Sequence, residues 1–212
     1  MAVEKNLQER AGNLATTGSM SGVEIILASA SPRRRQLLTE LGIRFEMATA
    51  EVTELDAMTS PGLAPVELAR ENARRKATAV AELQPGRWVL GADTVVAWGD
   101  RLFGKPASLE EARKFLRALS GHRHEVITGC VLMTPDGEKE SFYEISGVTF
   151  QKLSDEIIER YLAEVNVLDK AGAYALQERG EWIIEKVEGS RANVIGLPTE
   201  LLGKIFKRRG LL

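Results

Sequence analysis

The 212-residue sequence has few of the residues on which several protein classes depend. It holds one cysteine, Cys130, so an internal disulfide is excluded and a reducing compartment is expected. Cys130 stands in the apolar run 126–133, which favours a role in core packing. The two histidines, His122 and His124, lack the third histidine and the cysteines that would support a zinc site.

The chain also lacks an excess of charge of one sign and any long apolar run. Its 28 basic and 30 acidic residues leave a net charge of −2, which excludes bulk attraction to nucleic acid or to an anionic membrane. No run approaches the length of a membrane span, and residues 1–22 are polar, without the apolar segment of a signal peptide. We therefore expect a cytoplasmic protein in which residues 1–22 form a disordered tail, native or left by cloning, and residues 23–212 form one domain.

Strand-like and helix-like segments alternate along the rest of the chain. The predicted strands lie at about 24–29, 43–54, 88–98, 125–133, 141–150 and 182–187. The predicted helices lie at about 32–42 and 65–83 and begin after Ser108, after Ser154 and near Pro198. Several strand pairs look like hairpins, so the pattern predicts an α/β fold with a mixed sheet and flanking helices.

The segment from Leu27 to Leu38 reads as a buried strand, a tight turn and a helix with Ser31 as N-cap and Pro32 in the first position. Three arginines, residues 33–35, follow at the positive end of the helix dipole. Each surface cation there costs roughly 0.3–1 kcal/mol, so the pattern indicates an anion nearby. Free N–H groups and guanidinium forks would bind phosphate; alternatively, the arginines are solvated and Ser-Pro is an ordinary cap.

Two charged residues interrupt patterns that otherwise read as core. Asp93 lies in the apolar run 89–96, where an unpaired carboxylate is costly, so it must meet a cation, a metal or several donors. It is either part of a structural ion pair or a general base or metal ligand in a cleft. Lys76 interrupts the apolar stripe of the helix at 65–83, and it either extends to the surface or reaches a phosphate.

Lys105 lies in the glycine-containing segment 99–106, one residue short of a Walker A loop. Pro106 stands where a serine or threonine should hold Mg²⁺ and has no N–H, so a P-loop is excluded. Lys105 stays a candidate phosphate contact. Gln177 follows the apolar run 171–176, and it either reads a base edge or is simply exposed.

Acids that converge with Asp93 would hold a divalent cation. The candidates are Glu51, Glu54, Glu71 and Asp169. Sequence spacing does not show which of them converge, and each is otherwise a solvated surface charge. The spacing of Ser190, Asn193 and Gly196 indicates an ordered loop.

Taken together, these segments resemble the Maf family of nucleoside triphosphate pyrophosphatases over roughly residues 24 to 206. The motifs, in the family's order, are Ser-x-Ser-Pro-Arg-Arg (29–34), Asn-Ala-Arg-Arg-Lys-Ala (72–77), Gly-Ala-Asp-Thr (91–94), Gly-Lys-Pro (104–106), Leu-Ser-Gly with the later His and Thr-Gly (119–129), Asp-Lys-Ala-Gly-Ala-Tyr (169–174), and Glu-Gly-Ser through Gly-Leu-Pro (188–198). One such motif would mean little, but their common order is specific.

The resemblance implies hydrolysis of a nucleoside triphosphate to the monophosphate and pyrophosphate with a divalent cation, Mg²⁺ or Mn²⁺. It implies that Asp93 is the general base that activates water. The residues that it implies for substrate binding are Ser29, Arg33, Arg34, Lys76, Thr94, Lys105 and Gln177. It implies metal contacts from Glu54 and Asp93, although residues 51–54 read Glu-Val-Thr-Glu where the family has Asp-x-Asp-Glu.

The resemblance also implies a substrate. Arg33, Thr94 and Gln177 fall on positions associated with a preference for dTTP and UTP, and a sister group acting on methylated GTP carries tryptophan in place of Arg33. Residues 174–177 read Tyr-Ala-Leu-Gln where the family has Tyr-Gly-Ile-Gln, so Ala175 is expected to crowd the base pocket.

The fold implied is elongated, with two lobes around a deep cleft, as in inosine triphosphatases, and a homodimer is expected. The alternatives are a pyrophosphatase for modified purine triphosphates, of the methylated GTP or inosine type, and a nucleotide-binding regulator of septum formation or cell division. A phosphate-binding domain without catalysis is a third possibility, against which Asp93 argues because a buried acid that faces phosphates without a metal would repel them.

Overall fold

The computed structural model describes residues 24–56 and 59–212, so the predicted tail at 1–22 lies outside the described residues. Within them the strands form one seven-stranded mixed sheet. The strands are β1 (Ile25–Ala28), β2 (Phe45–Ala48), β3 (Trp88–Trp98), β4 (Arg101–Phe103), β5 (Arg123–Met133), β6 (Lys139–Phe150) and β7 (Ile184–Glu188). The helices are α1 (Pro32–Glu40), α2 (Pro65–Leu83), α3 (Leu109–Leu119), α4 (Asp155–Glu164), α5 (Arg191–Ile195) and α6 (Thr199–Arg208).

The sheet combines parallel and antiparallel strands, which confirms the predicted mixed α/β fold. The strand order is β2-β1-β3-β5-β6-β7, and β4 pairs with the end of β3. β1 runs parallel to β2 and β3, whereas β3, β5, β6 and β7 pair antiparallel. β1 pairs with β3 only as far as Leu90, and β4 pairs with it from Val96, so within the described residues positions 91–95 of β3 have no partner strand on this side.

Serine caps begin the three helices for which the sequence predicts them. The side chains of Ser31, Ser108 and Ser154 each accept a hydrogen bond from a backbone N–H in the first turn of α1, α3 and α4. Cys130 is fully buried, and burial raises the pKa of its thiol to about 12, which confirms a packing role. No helix in the described part of the chain is long and apolar enough to cross a membrane.

Three segments differ from the sequence-based expectation. The strand expected over 43–54 is short, Phe45–Ala48, because it lies at the sheet edge with β1 as its partner. The strand expected from Trp182 begins at Ile184, after a 3₁₀ turn at Gly180–Trp182 that follows the left-handed residue Arg179. The expected loop at 190–196 contains α5, because Ser190 Oγ accepts a hydrogen bond from Asn193 N–H and caps a helical turn.

Helix α2 lies unusually close to β3 and β5 because small residues meet at the contact. It presents Ala69, Ala73 and Ala77, all fully buried, to Gly91 of β3 and Gly129 of β5. A Cβ atom on Gly129 would lie 2.5 Å from the backbone carbon of Ala69. Because α2 lies this close, the side chains of Asn72 and Lys76 on α2 reach Asp93 in the middle of β3.

The apolar core divides into clusters on either side of a cavity. One cluster lies under α3 and α4 and includes Phe103, Leu116 and Tyr161. Another packs α1 and α6 against β1 and includes Leu38 and Phe206. Residues of both clusters line this cavity, whose lining is partly polar and partly apolar.

Candidate active site

The cavity has a volume of about 390 Å³ and lies where β1 leads into α1, beside α2 and the open edge of β3. It is also lined by residues of the segment 169–177 and of the end of α5. Every residue that the family resemblance implies for the site lines it: Ser29, Arg33, Arg34, Glu54, Lys76, Asp93, Thr94, Lys105 and Gln177. Of the other candidate acids, Asp169 lines the cavity, whereas Glu51 and Glu71 do not. The structure thus brings together residues from distant parts of the chain, and their individual roles stay predictions.

At the floor of the cavity, Lys76 joins two carboxylates. Its Nζ lies 2.6 Å from Asp93 Oδ1 and 2.9 Å from Glu54 Oε1. Asp93 is only 6% exposed, so this ion pair compensates a carboxylate that would be costly alone. The two alternatives that the sequence left for Asp93 are therefore not exclusive, since the ion pair itself lines a cleft.

Asn72 is a residue that sequence reasoning missed. Its Nδ2 donates to Asp93 Oδ2 at 3.2 Å and to the carbonyl of Leu55 at 2.9 Å, and its Oδ1 accepts from Leu55 N–H at 2.7 Å. It thereby ties the segment next to Glu54 to the buried acid. Its position in the sequence could have indicated a site residue. Residues four apart on a helix share a face, and Asn72 stands one turn before Lys76.

Glu54 is held as an anion. Burial raises the pKa of its carboxyl, but the charge and hydrogen bond of Lys76 and the charge of Lys105, at 3.9 Å, outweigh that effect. The net pKa lies below the ordinary value. Lys105 is placed here because the carbonyl of Gly104 accepts a hydrogen bond from Gly172 N–H at 3.1 Å, which fixes the adjacent backbone.

The arginines predicted to bind phosphate divide between the cavity and the surface. Arg34 donates from Nε to the carbonyl of Gly196 at 2.8 Å, from Nη1 to Ser29 Oγ at 3.3 Å and from Nη2 to Thr94 Oγ1 at 3.1 Å. Burial lowers the pKa of the Arg34 guanidinium, and the charge of Asp93 opposes that shift. Arg33 also lines the cavity, whereas the next arginine, Arg35, is exposed.

Arg33 connects α1 to the segment that carries Gln177. Its Nη1 lies 3.1 Å from Asp169 Oδ2, and its Nη2 donates to the Asp169 carbonyl at 3.3 Å. The buried Lys170, which sequence reasoning did not single out, lies 2.9 Å from Asp169 Oδ1 and 3.3 Å from Glu178 Oε1. Burial raises the pKa of Asp169, but Lys170 and Arg33 outweigh it and hold the net pKa low.

The other end of the cavity is apolar. Val96, Val126, Val194 and the ring of Tyr174 line it beside Gln177. Ala175 also lines the cavity and is 5% exposed, so the residue that departs from the family pattern lies at the site. A small, flat ring with polar edges matches such a lining.

A buried histidine supports Tyr174 from behind. His124 Nε2 lies 2.8 Å from Tyr174 Oη, and burial lowers the pKa of His124 to about 4, so the imidazole is neutral at pH 7. The ring also meets Phe150 edge to face, with 4.8 Å between ring centroids. His124 therefore packs within the core.

The carboxylates fit a divalent cation only in part. Glu54 and Asp93 face one cation position, the one that Lys76 Nζ takes, and their oxygen atoms suit Mg²⁺ or Mn²⁺. Among the described residues, no group of three or more acid, histidine or cysteine side chains is arranged to hold a metal. Mg²⁺ commonly binds one or two carboxylates and completes its shell with water and phosphate oxygens, which is the arrangement that this donor set allows.

Known proteins resemble this chain over most of its length. A family model described as Maf-like protein matches residues 24–209. A dTTP/UTP pyrophosphatase of Nitratidesulfovibrio vulgaris is 42% identical over 190 residues, 89% of each chain. A dTTP/UTP pyrophosphatase of Bacillus cereus is 41% identical over 186 residues, 87% of this chain and 89% of the relative.

Among solved structures, the Staphylococcus aureus Ham1 protein has the same fold, with a TM-score of 0.51 at 17% identity over 88% of this chain and 99% of that one. The family match spans nearly all of the described residues, and the identities extend over most of both relatives. The chain belongs to the Maf family.

Proposed function

We propose that this protein is a pyrophosphatase that hydrolyses dTTP and UTP to the monophosphate and pyrophosphate, assisted by Mg²⁺ or Mn²⁺. The observation that carries the proposal is a buried carboxylate, Asp93, in a cavity that is otherwise rich in cations. The names of the two relatives support the substrate. Ala175 lines the cavity where the family has glycine, and an added methyl group there would favour a pyrimidine over a larger base.

Binding of the triphosphate is an electrostatic task. Arg33, Arg34, Lys76 and Lys105 line the cavity and would neutralise the phosphate oxygens. Phosphoryl chemistry of this kind depends mainly on positioning and on charge stabilisation, since the protein supplies little covalent chemistry. We assign the apolar end to the base, where Gln177 offers an amide to its polar edge.

In this proposal Asp93 acts as the general base. Asn72 Nδ2 donates to its Oδ2, and among the described residues its Oδ1 is bonded by Lys76 Nζ. Once the lysine turns to a phosphate, Oδ1 is free to accept a proton from water. The water oxygen then forms a bond to the α-phosphorus, the bond from that phosphorus to the bridging oxygen breaks, and pyrophosphate leaves with the electron pair.

Glu54 and Asp93 would hold the divalent cation together with phosphate oxygens. When bound, the ion supplies charge neutralisation for the pyrophosphate leaving group. Glu54 suits this role because Lys76 and Lys105 hold its pKa low, so it is ionised at pH 7. The predicted homodimer and the cytoplasmic location stay predictions.

The test is product release from a panel of canonical, methylated and deaminated nucleoside triphosphates with Mg²⁺ or Mn²⁺, separated by chromatography. We expect UMP or dTMP and pyrophosphate from UTP or dTTP, and loss of turnover in Asp93→Asn. The matched control is Asp100→Asn, which removes an exposed acid in the turn before β4 and should leave turnover unchanged.

Other products would redirect the proposal. Release only from modified purines would keep the chemistry and overturn the pyrimidine assignment. Formation of a diphosphate and inorganic phosphate would refute the reaction. Nucleotide binding without any release would favour the regulator.

A further inference from the structure

A series of three hydrogen bonds leads from the proposed phosphate site into the core, and the last of them is buried. Arg34 Nη2 donates to Thr94 Oγ1 at 3.1 Å, and Thr94 Oγ1 lies 3.0 Å from Thr128 Oγ1 on the neighbouring strand. Thr128 Oγ1 in turn donates to the main-chain carbonyl of Asn193 at 3.1 Å. Thr94 and Thr128 are direct cross-strand partners of β3 and β5, so the sheet register itself aligns them.

The donor and acceptor of each hydrogen bond in this series can be assigned because each threonine hydroxyl has only one proton. The carbonyl of Asn193 can only accept, so the proton of Thr128 is used there. Thr94 must then donate to Thr128, since Thr128 has no second proton to offer. The lone pairs of Thr94 are thereby left for Arg34, whose guanidinium can only donate.

We infer that Thr128 is a positioning residue for the substrate phosphates, acting through Thr94 on Arg34. It fixes the direction of the Thr94 hydroxyl, and that hydroxyl fixes one arm of the guanidinium. Without the hydroxyl of Thr128, the hydroxyl proton of Thr94 loses its acceptor on β5. That proton can then turn towards Arg34, where it opposes the hydrogen bond that Arg34 Nη2 donates to Thr94 Oγ1. This inference rests on the proposed function, because it takes Arg34 as a phosphate contact.

Asn193, at the core end of this series of hydrogen bonds, is held by several further hydrogen bonds. Asn193 is fully buried, its N–H donates to Ser190 Oγ at 3.1 Å, and its Nδ2 donates to the carbonyl of Val126 at 3.0 Å and to Ser146 Oγ at 2.9 Å. The carbonyl that receives the proton of Thr128 is therefore fixed to both β5 and β6. A fixed acceptor is needed for this role, since a mobile carbonyl would not hold the Thr128 hydroxyl in one orientation.

Thr128→Val and Thr128→Ser test the inference together. Valine keeps the shape and removes the hydroxyl, whereas serine keeps the hydroxyl and removes a methyl group. We expect kcat/KM for UTP to fall on the order of tenfold in Thr128→Val, the size of one weakened hydrogen bond to a charged group, and to recover in Thr128→Ser. Thr134→Val is the control, because Thr134 bonds Asp136 in the turn after β5 and lies outside the cavity lining.

Binding of sodium tripolyphosphate, measured by calorimetry, separates this inference from the proposed function. Weaker binding in Thr128→Val that Thr128→Ser restores supports the inference, even if wild-type protein hydrolyses no nucleotide and the proposed function fails. Equal affinity in all three proteins overturns the inference, and so does a loss in Thr128→Ser as large as that in Thr128→Val. In those cases hydrolysis of UTP by the wild type would leave the proposed function standing.

Discussion

Replacing Gly129 by alanine should disturb both the fold and the site, because this glycine lets α2 approach the sheet. The added Cβ would lie 2.5 Å from the backbone carbon of Ala69 and from Arg70 N, whereas ordinary contacts of a Cβ begin at 3.4 Å. The obstacle is helix backbone, which cannot turn away as a side chain can. Helix α2 must therefore move outward by about 0.9 Å, and overpacking of this kind costs roughly 1–3 kcal/mol.

The same movement of α2 should also lower the catalytic activity. Lys76 and Asn72 approach Asp93 from α2, at 2.6 and 3.2 Å, and an outward shift of this size takes the longer contact beyond hydrogen-bond range. A displacement of about 1 Å in such a site can cost up to about 100-fold in rate. We therefore expect Gly129→Ala to lower the free energy of unfolding and kcat/KM for UTP together.

The assay is urea unfolding combined with pyrophosphate release. The matched control is Gly203→Ala in α6, where the nearest atom to an added Cβ is Leu41 Cδ1 at 3.5 Å. Alanine there should stabilise the helix by about 0.5–1 kcal/mol and leave turnover unchanged. Wild-type stability and turnover in Gly129→Ala would refute the reasoning.

Three further variants test other parts of the account. Lys76→Met should leave Asp93 unpaired, lower the free energy of unfolding in urea by roughly 3 kcal/mol, and abolish pyrophosphate release; wild-type stability would contradict this. Asp169→Asn should change stability by less than about 1 kcal/mol, since the Asp169 side chain is 46% exposed and the buried Lys170 keeps Glu178 as a partner. The same change should lower the ratio of kcat/KM for UTP over GTP, and an unchanged ratio would count against the link between Arg33 and the segment that carries Gln177. Burial lowers the pKa of His124 to about 4 in the folded protein, whereas the ordinary value of 6.5 applies to the unfolded chain. As the pH falls, the unfolded chain therefore binds a proton at His124 before the folded protein does. The free energy of unfolding is unaffected by this group above pH 6.5 and decreases as the pH falls from 6.5 to 4. His124→Gln should therefore lose about 3 kcal/mol less than wild type between pH 7 and pH 4 in urea unfolding, and equal losses would refute the assignment.

The local features of the fold were predictable because they depend on neighbours in sequence. Helix α2 occupies Pro65–Leu83 and β3 occupies Trp88–Trp98, as expected, since each carries an apolar period and ends at turn residues. The cap at Ser31 follows the same logic. By contrast, α5 was missed because five residues are too few for a helical period to appear.

The site needed tertiary information that the residues alone do not carry. The sequence marked Asp93 and Lys76 as anomalies, but only the close approach of α2 at Gly129 shows that they meet each other. Asn72 and Thr128 attracted no attention by themselves, since a polar residue on a helix or strand is ordinary until its partners are known. The family resemblance supplied the reaction, which no spacing argument had reached.

The most direct test of the central claim is to hydrolyse UTP in water enriched in ¹⁸O and to locate the label by mass spectrometry. If Asp93 directs water to the α-phosphorus, one ¹⁸O atom enters UMP and the released pyrophosphate carries none. Label in the pyrophosphate and none in UMP would place the attack on the β-phosphorus and contradict the account.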